Sequence, residues 1–519
     1  MEVQSPKLQT PSSNESANIS SFLKFGTWIL LLGIFILGSS IIASSQPITG
    51  SKLQAQIVNL QKDTDLTHAS WSVCVLDVKK DSIRAEYNSR LSLVPASTHK
   101  ILTTSTALAL LGWDFKYETR LEYDGKLDSA AGILHGNIYI KGSGDPTLES
   151  ETFKKKSDTI PLTDQWAKII STKGIKKIEG AIIADASIFE DETIPSTWIW
   201  GDMGNYYGAG ASGLNFKDNK FSLYYRSGPK KGDTTWIKKI TPEIPNMKVA
   251  SYVRTGAYLD NAFIYGAPYE TLRYVKGTIP ANKTNYEVEG SVPDPSLFCA
   301  QSLDSSLRKL GAVIDKPATS IRILKANAGN FKTEKRKRLY VQTSHTLDKI
   351  VYQTNIQSNN LFAETLLKTI AWNKTKFGED QTGIDIVTNY WKSKGVDLKG
   401  FYMADGCGLS RFNAITTKQL SEILRVITLD SLLFKKFYES LPVAGKSGSL
   451  GKLCKGTIAE NNLHAKSGYM TRVRSYAGYV TTKKGNLLSF AIIVNNYDCS
   501  PGEMKDKLEK LMIAIAETE

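Results

Sequence analysis

Apolar and polar positions along this chain follow two periods, and the places where the period changes mark its parts. Trp71 to Val78 and Ile83 to Tyr87 are apolar-rich runs on either side of Lys79-Lys80-Asp81-Ser82, which predicts a strand hairpin. Ile101 to Leu111 contains neither Gly nor Pro and follows Pro95, so a helix is expected to open near Ser97. After Gly112 strand-like runs dominate: Tyr117–Tyr123, Ile133–Lys141, Gly180–Ala184, Phe221–Tyr225 and Lys248–Arg254. A helical run near Gln165–Ser171 interrupts them, and Asp294-Pro295-Ser296 caps another helix reaching Leu310. Gly142-Ser143-Gly144-Asp145-Pro146 reads as a turn, and Lys335-Arg336-Lys337-Arg338 as a solvated connector.

Helical spacing returns from Thr343, through Leu347, Ile350 and Val351 and then Leu361, Leu366 and Leu367. The polar stretch Gln357-Ser358-Asn359-Asn360 lies where two such helices meet. Three apolar runs, His464–Met470, Ser475–Thr481 and Leu487–Asn495, are joined by short turns and predict an antiparallel meander. An amphipathic helix is expected over Gly502 to Glu517. Helices packed on an antiparallel sheet, with the Ser97 helix far upstream, imply an α+β domain split by a large mixed α/β insertion.

Before this body, residues 1–23 are Ser- and Asn-rich and read as a disordered tail. Lys24 then precedes an uncharged run of 19 residues, Phe25 to Ala43. That length just spans a bilayer, and its strongest part, Trp28 to Leu37, also fits a signal-peptide core with Ala43-Ser44-Ser45 as the cleavage site. Both readings place the rest of the chain outside the cytoplasm, in the periplasm or cell envelope. The division expected is 1–45 for tail plus signal or anchor, 46–115 and 336–519 for the two parts of the main domain, and 116–335 for the insertion.

Composition changes little in this picture. A hydrophobic content of 41% is that of a globular protein with a full core. The net charge of +14 comes with no Lys/Arg-rich tail and no nucleic-acid motif, so no nucleic-acid partner is expected. Cys74, Cys299, Cys407, Cys454 and Cys499 form no CxxC pair and are expected buried and unpaired; the five histidines show no ligand spacing. Neither metal nor cofactor is expected.

The candidate chemistry starts at Ser97-Thr98-His99-Lys100. A serine hydroxyl is a weak nucleophile until a base takes its proton, and a lysine three residues on along a helix reaches it from the same face. Alone this pattern is common. Two further elements give it weight: Ser358-Asn359-Asn360, where a serine relays protons and Asn360 offers an amide to a substrate, and Lys466-Ser467-Gly468, opening a strand. There a lysine charge and the Ser467 hydroxyl suit a carboxylate, and Gly468 permits close backbone approach. An earlier copy, Lys446-Ser447-Gly448, is followed by turn-like residues rather than a strand, which favours Lys466. A phosphate-binding loop there fails, because the required upstream glycine is Ser440.

S-x-x-K followed by S-D-N and K-T-G is the mark of penicillin-binding proteins and class A β-lactamases, and Ser97-x-x-Lys100, Ser358-Asn359-Asn360 and Lys466-Ser467-Gly468 stand in that order as its counterparts. The chain resembles the low-molecular-mass class C penicillin-binding proteins, the D-alanyl-D-alanine carboxypeptidase/endopeptidase family. Gly142-Ser143-Gly144-Asp145-Pro146-Thr147-Leu148, Leu441-Pro442-Val443-Ala444-Gly445, Asp405-Gly406-Cys407-Gly408-Leu409-Ser410-Arg411, Gly456-Thr457 and His464-Ala465-Lys466 resemble that family's stretches in the same order. The 258 positions from Lys100 to Ser358 fit its inserted domains. Two departures stand out: Tyr469 where a Ser or Thr is frequent, and Cys407 where Ser is more usual.

The resemblance implies a penicillin-binding transpeptidase/β-lactamase-like fold. It also implies peptidoglycan stem peptides ending in D-Ala-D-Ala as substrate and β-lactam antibiotics as covalent inhibitors. Ser97 is then the acylated nucleophile, Lys100 its base, and Ser358 the relay to the leaving amine. Asn360 holds the substrate amide, Lys466 and Ser467 hold the terminal carboxylate, and the N–H groups of Ser97 and Tyr469 form the oxyanion hole. A free lysine titrates near ~10.4, so only about one in 2,500 is neutral at pH 7; burial and the charge of Lys466 are the expected means of lowering Lys100. The competing readings are a serine β-lactamase, against which the long insertion argues, and a wall-binding module without catalysis, against which three chemically competent motifs argue. Cleavage of cross-links as well as of terminal D-Ala is expected.

Overall fold

The computed structural model describes residues 52–155, 157–256, 261–328 and 334–519. The expected tail and the run Phe25–Ala43 lie outside the described residues, as does the start of the first main-domain segment. No helix among the described residues is long and apolar enough to cross a membrane.

The sheet that carries the site is built from both ends of the chain. Its five strands lie in the order His464–Met470, Val473–Thr481, Leu487–Asn495, Ser70–Asp77 and Ser82–Tyr87, all antiparallel. The meander and the hairpin therefore form as expected, and Ser70–Asp77 joins them by pairing with Leu487–Asn495. Those two central strands are buried almost end to end, because both faces of the sheet are covered. Ala477, Tyr479, Ala491 and Ile493 point to one core with Ile101, Leu102, Ile350, Leu366 and Trp391. Tyr476, Phe490, Ile492 and Val494 point to the other, with Leu53, Ile57, Leu508 and Leu511 from the first described and the last helices. Alternation with period two thus feeds two helical layers from one sheet.

The middle of the chain has its own core, including Ile138, Ile140, Trp166, Ile182, Phe221, Val275 and Leu303. One sheet there runs Thr319–Ser320, Ile182–Asp185, Ile138–Lys141, Glu118–Tyr123, Lys337–Thr343. Two local expectations change. The run Ile133–Lys141 is not one strand: Ile133–His135 and Ile138–Lys141 belong to different sheets. Gly136 separates them, where a side chain would lie 2.3 Å from Asp124 O. The Asp124 carboxylate takes the Asn137 N–H at 2.6 Å and fixes the crossing.

The basic stretch near residue 336 is no connector either, although Lys335, Lys337 and Arg338 are exposed as expected. Lys337–Thr343 pairs with Glu118–Tyr123, and Arg336 is nearly buried. Its guanidinium lies 2.6 Å from Asp185, 3.6 Å from Glu122 and 3.8 Å above the Tyr139 ring. A run of like charges reads as solvated only when opposite charge is far away, and here the acids come from distant strands. All five cysteines are free; four are buried and Cys499 is half-buried.

Candidate active site

Ser97 sits in a single tight turn, Ala96–His99, that leads into the helix Lys100–Leu111. The turn is pinned to the sheet. Asn495 brackets Val94, accepting its N–H at 2.9 Å and donating to its carbonyl at 3.0 Å. Pro95 O accepts from Ser475 Oγ at 2.5 Å and from Thr98 Oγ1 at 2.7 Å. Ala96 takes a left-handed conformation, φ 48°. Gly468 explains how the strand comes so close: a side chain there would lie 2.2 Å from Ser475 Oγ and 2.7 Å from Pro95 O. The glycine of the third motif therefore admits the Ser97 turn, a protein contact of the kind expected with a ligand.

Lys100 Nζ donates to Ser97 Oγ at 3.1 Å, to Asn360 Oδ1 at 2.6 Å and to Cys407 O at 2.8 Å. The amine is fully buried, and burial lowers its pKa below the ordinary lysine value. Cys407, Asp405 and Glu364 work in the opposite direction and restrain that fall. Lys466 is not among the causes. The influence runs the other way: Lys466 is pushed well below its usual value by burial first and by the charge of Lys100 second.

The second motif stands at a helix junction, as its sequence position requires. The helix Leu347–Gln357 ends at Ser358 in the left-handed region, φ 57°, and Asn359 caps the helix Asn360–Thr375 by accepting the Phe362 N–H at 3.1 Å. Lys466 Nζ donates to Ser358 Oγ at 2.8 Å and to Ser467 O at 2.9 Å. Asn360 spends both ends of its amide on the protein, Oδ1 on Lys100 and Nδ2 on Tyr207 O at 2.8 Å. Ser467 Oγ lies 2.6 Å from Ser449 Oγ, on the loop of the earlier motif copy. Lys446 of that copy is exposed. Tyr469 is 53% exposed, and the Arg474 guanidinium lies 5.3 Å over its ring.

Ser97, Ser358, Asn360 and Tyr469 line one cleft of about 730 Å³. Its far wall comes from the middle of the chain and includes Asp202, Tyr206, Tyr207, Lys220 and Phe263. Sequence reasoning missed the floor. Asp405 accepts from Gly408 N at 2.7 Å, Ser410 N at 2.5 Å, Asn413 Nδ2 at 2.8 Å and Trp198 Nε1 at 2.9 Å. Glu364 accepts from Gly406 N at 3.0 Å. Together these acids shape the Gly406-Cys407-Gly408 turn whose carbonyl receives Lys100. The turn's motif was legible, but the partner Trp198 lies 207 positions away and carries no local signal.

Glu364, buried near Asp405, has its pKa pushed up to about 8, by burial first and then by that neighbouring acid. Glu364, Asp405 and Cys407 approach within 4.8 Å of one another, as a metal site requires. The Asp405 oxygens are already occupied by four N–H donors, and a lysine amine adjoins the group, so the trio fits a hydrogen-bonded floor better than a metal.

A family model described as D-Ala-D-Ala carboxypeptidase 3 (S13) matches residues 53–518. The chain belongs to that family. It is 25% identical over 440 residues to "D-alanyl-D-alanine carboxypeptidase DacB" of Haemophilus influenzae, covering 84% of this chain and 86% of the relative. It is 26% identical over 487 residues to a "D-alanyl-D-alanine carboxypeptidase" of Actinomadura sp., covering 90% and 86%. The crystal structure of penicillin binding protein 4 (dacB) from Haemophilus influenzae superposes with a TM-score of 0.74 at 23% identity, over 88% of this chain and 97% of that one. The α+β fold of a penicillin-binding protein is thereby shared, and the protein is a D-alanyl-D-alanine carboxypeptidase of the penicillin-binding class.

Proposed function

We propose that this S13-family carboxypeptidase removes the terminal D-Ala of peptidoglycan stem peptides through an acyl-enzyme on Ser97. The observation that carries the assignment is the buried Lys100 amine 3.1 Å from Ser97 Oγ. Neutral Lys100 takes the hydroxyl proton as Oγ bonds to the penultimate D-Ala carbonyl carbon. The N–H groups of Ser97 and Tyr469 stabilise the oxyanion. The amide C–N bond then breaks, D-Ala leaves with a proton delivered through Ser358, and water hydrolyses the ester. Lys466 and Ser467 receive the terminal carboxylate. Asn360 positions Lys100 in the free enzyme and offers its amide to the substrate when the cleft fills.

β-Lactams acylate the same serine. The 730 Å³ cleft has room beyond Ser97 for part of a second stem, which supports cleavage of cross-links as well as of terminal D-Ala. The substrate lies in the cell wall, so the enzyme works in the envelope; residues 25–43 are the segment we assign to export or anchoring. Residues 46–115 and 336–519 form the catalytic part in this reading, and 116–335 the insertion, with Lys337–Thr343 pairing back onto the insertion's sheet.

The test is intact mass after incubation with penicillin. A single adduct located on Ser97, absent in Ser97→Ala, is expected; an adduct on the Ala variant overturns the assignment. Muropeptide digestion resolved by mass decides the cross-link activity. Dimers left intact while pentapeptide monomers lose D-Ala would remove that half of the proposal.

A further inference from the structure

The middle of the chain contains a three-stranded sheet, in the order Lys248–Gly256, Leu272–Pro280, Phe263–Tyr265. One face is buried, through Val253, Arg273, Val275, Ile279 and Ile264. The other face is open, and its register sets two rows. Tyr252 pairs with Lys276, which pairs with Phe263; Ala250 pairs with Tyr274, which pairs with Tyr265. Paired residues share a face. Tyr252 is 60% exposed, Tyr274 38% and Phe263 41%. Trp200, 52% exposed, lies 6.2 Å from the Tyr265 ring and extends the aromatic surface.

Open aromatic side chains on a flat sheet are unusual unless something covers them. Two observations identify what does. First, the charge is of one sign: Lys248, Arg254 and Lys276 stand on this face, and the three strands contain no Asp or Glu. Second, the face runs into the catalytic cleft, because Phe263 lines that cleft together with Ser97. A ligand on the sheet is therefore continuous with the substrate in the cleft. Pyranose rings present C–H faces that stack on aromatic rings, and stem peptides carry carboxylates that match the lysines and arginine. From Phe263 to Tyr252 is two strand spacings, ~10 Å, the scale of a pair of linked sugar rings.

We propose that this face binds the glycan backbone of the peptidoglycan strand whose stem peptide enters the cleft. The proposal rests on the carboxypeptidase reading and deepens it: the insertion holds the polymer while the catalytic sheet cuts its side chain.

The test uses the full chain and two ligands, intact peptidoglycan and glycan chains stripped of their stems by an amidase, with binding followed by co-sedimentation. The variants are Tyr252→Thr with Tyr274→Thr, and Lys276→Gln; none of these residues lines the cleft, and Thr keeps strand propensity. Wild type is expected to bind the stripped glycan. The tyrosine variant should bind it about tenfold more weakly, with KM on polymeric peptidoglycan raised by a similar factor. Turnover of a soluble D-Ala-D-Ala peptide should be unchanged in the same preparation, which also reports folding. Lys276→Gln should weaken binding to both ligands, because amide hydrolysis leaves a carboxylate on the glycan at each stripped position. Glycan binding equal in wild type and the tyrosine variant overturns the proposal, and so does binding by wild type to whole peptidoglycan with none to stripped glycan. Wild type inactive on the soluble peptide but binding glycan would overturn the carboxypeptidase reading and leave the surface standing.

Discussion

Lys100 and Lys466 are both buried amines beside a serine hydroxyl, and both are driven below the ordinary lysine range by burial. They differ in what lies behind them. Lys100 backs onto the Cys407 carbonyl and, behind it, the Asp405 carboxylate, and Cys407 and Asp405 lead the influences that pull its pKa back up. Lys466 has a hydroxyl and its neighbour's carbonyl as partners, and its next strongest influence is the repelling charge of Lys100. An amine balanced between burial and acids can change protonation state at modest cost, as a base must. An amine without counter-charge is completed by an anion from outside, as a carboxylate-binding group must be. The proposed roles follow from this difference: chemistry for Lys100, binding for Lys466.

The comparison has a floor set by Ser97, the proposed nucleophile. Ser97→Ala should lower kcat by roughly 10⁶ and end penicillin labelling. Against that floor, Lys100→Met should lower kcat by about 10⁴ with little change in KM, measured by D-Ala release. Lys466→Ala should instead act largely on KM, by about 10²-fold, the loss of one charge-assisted hydrogen bond. Equal kcat losses with unchanged KM in both variants would break the division of labour. Lys446→Ala, at the exposed earlier copy, should leave both constants unchanged and stability within about 0.5 kcal/mol.

The acids behind Lys100 sharpen the contrast further. Trp198→Phe removes one of the four donors to Asp405 and should lower kcat about tenfold while KM holds, because the turn carrying Cys407 O loosens. The smallest effect concerns Glu364. Its pKa is raised from 4.5 to about 8, so the folded state holds a proton that the unfolded state releases over that window. The stability this gives is full below pH 4.5 and is lost as pH rises through about 8. Glu364→Gln keeps the neutral shape and removes the loss. Melting temperature should therefore fall less in the variant than in wild type between about pH 5 and pH 9. Parallel curves would mean Glu364 is ionised in the fold.

The chain by itself determined the elements that local patterns encode, and it carries the motifs on which the proposed chemistry rests. Alternation gave the meander and hairpin, helical spacing gave the two helices meeting at Ser358, and short motifs named Ser97, Lys100, Ser358, Asn360 and Lys466. Such signals survive in sequence because they depend on residues a few positions apart. Tertiary structure decided what depends on distant partners. It set Arg336 against Asp185 and Glu122, drawing one residue of an otherwise exposed basic run into an ion-paired site. It placed Trp198 and Tyr207 O against Asp405 and Asn360, so the middle of the chain helps hold the partners of Lys100. It gave Gly468 to the Ser97 turn and put the acids behind Lys100 rather than Lys466. A pKa or a close approach is a sum over neighbours in space, and no spacing along the chain records which neighbours those are.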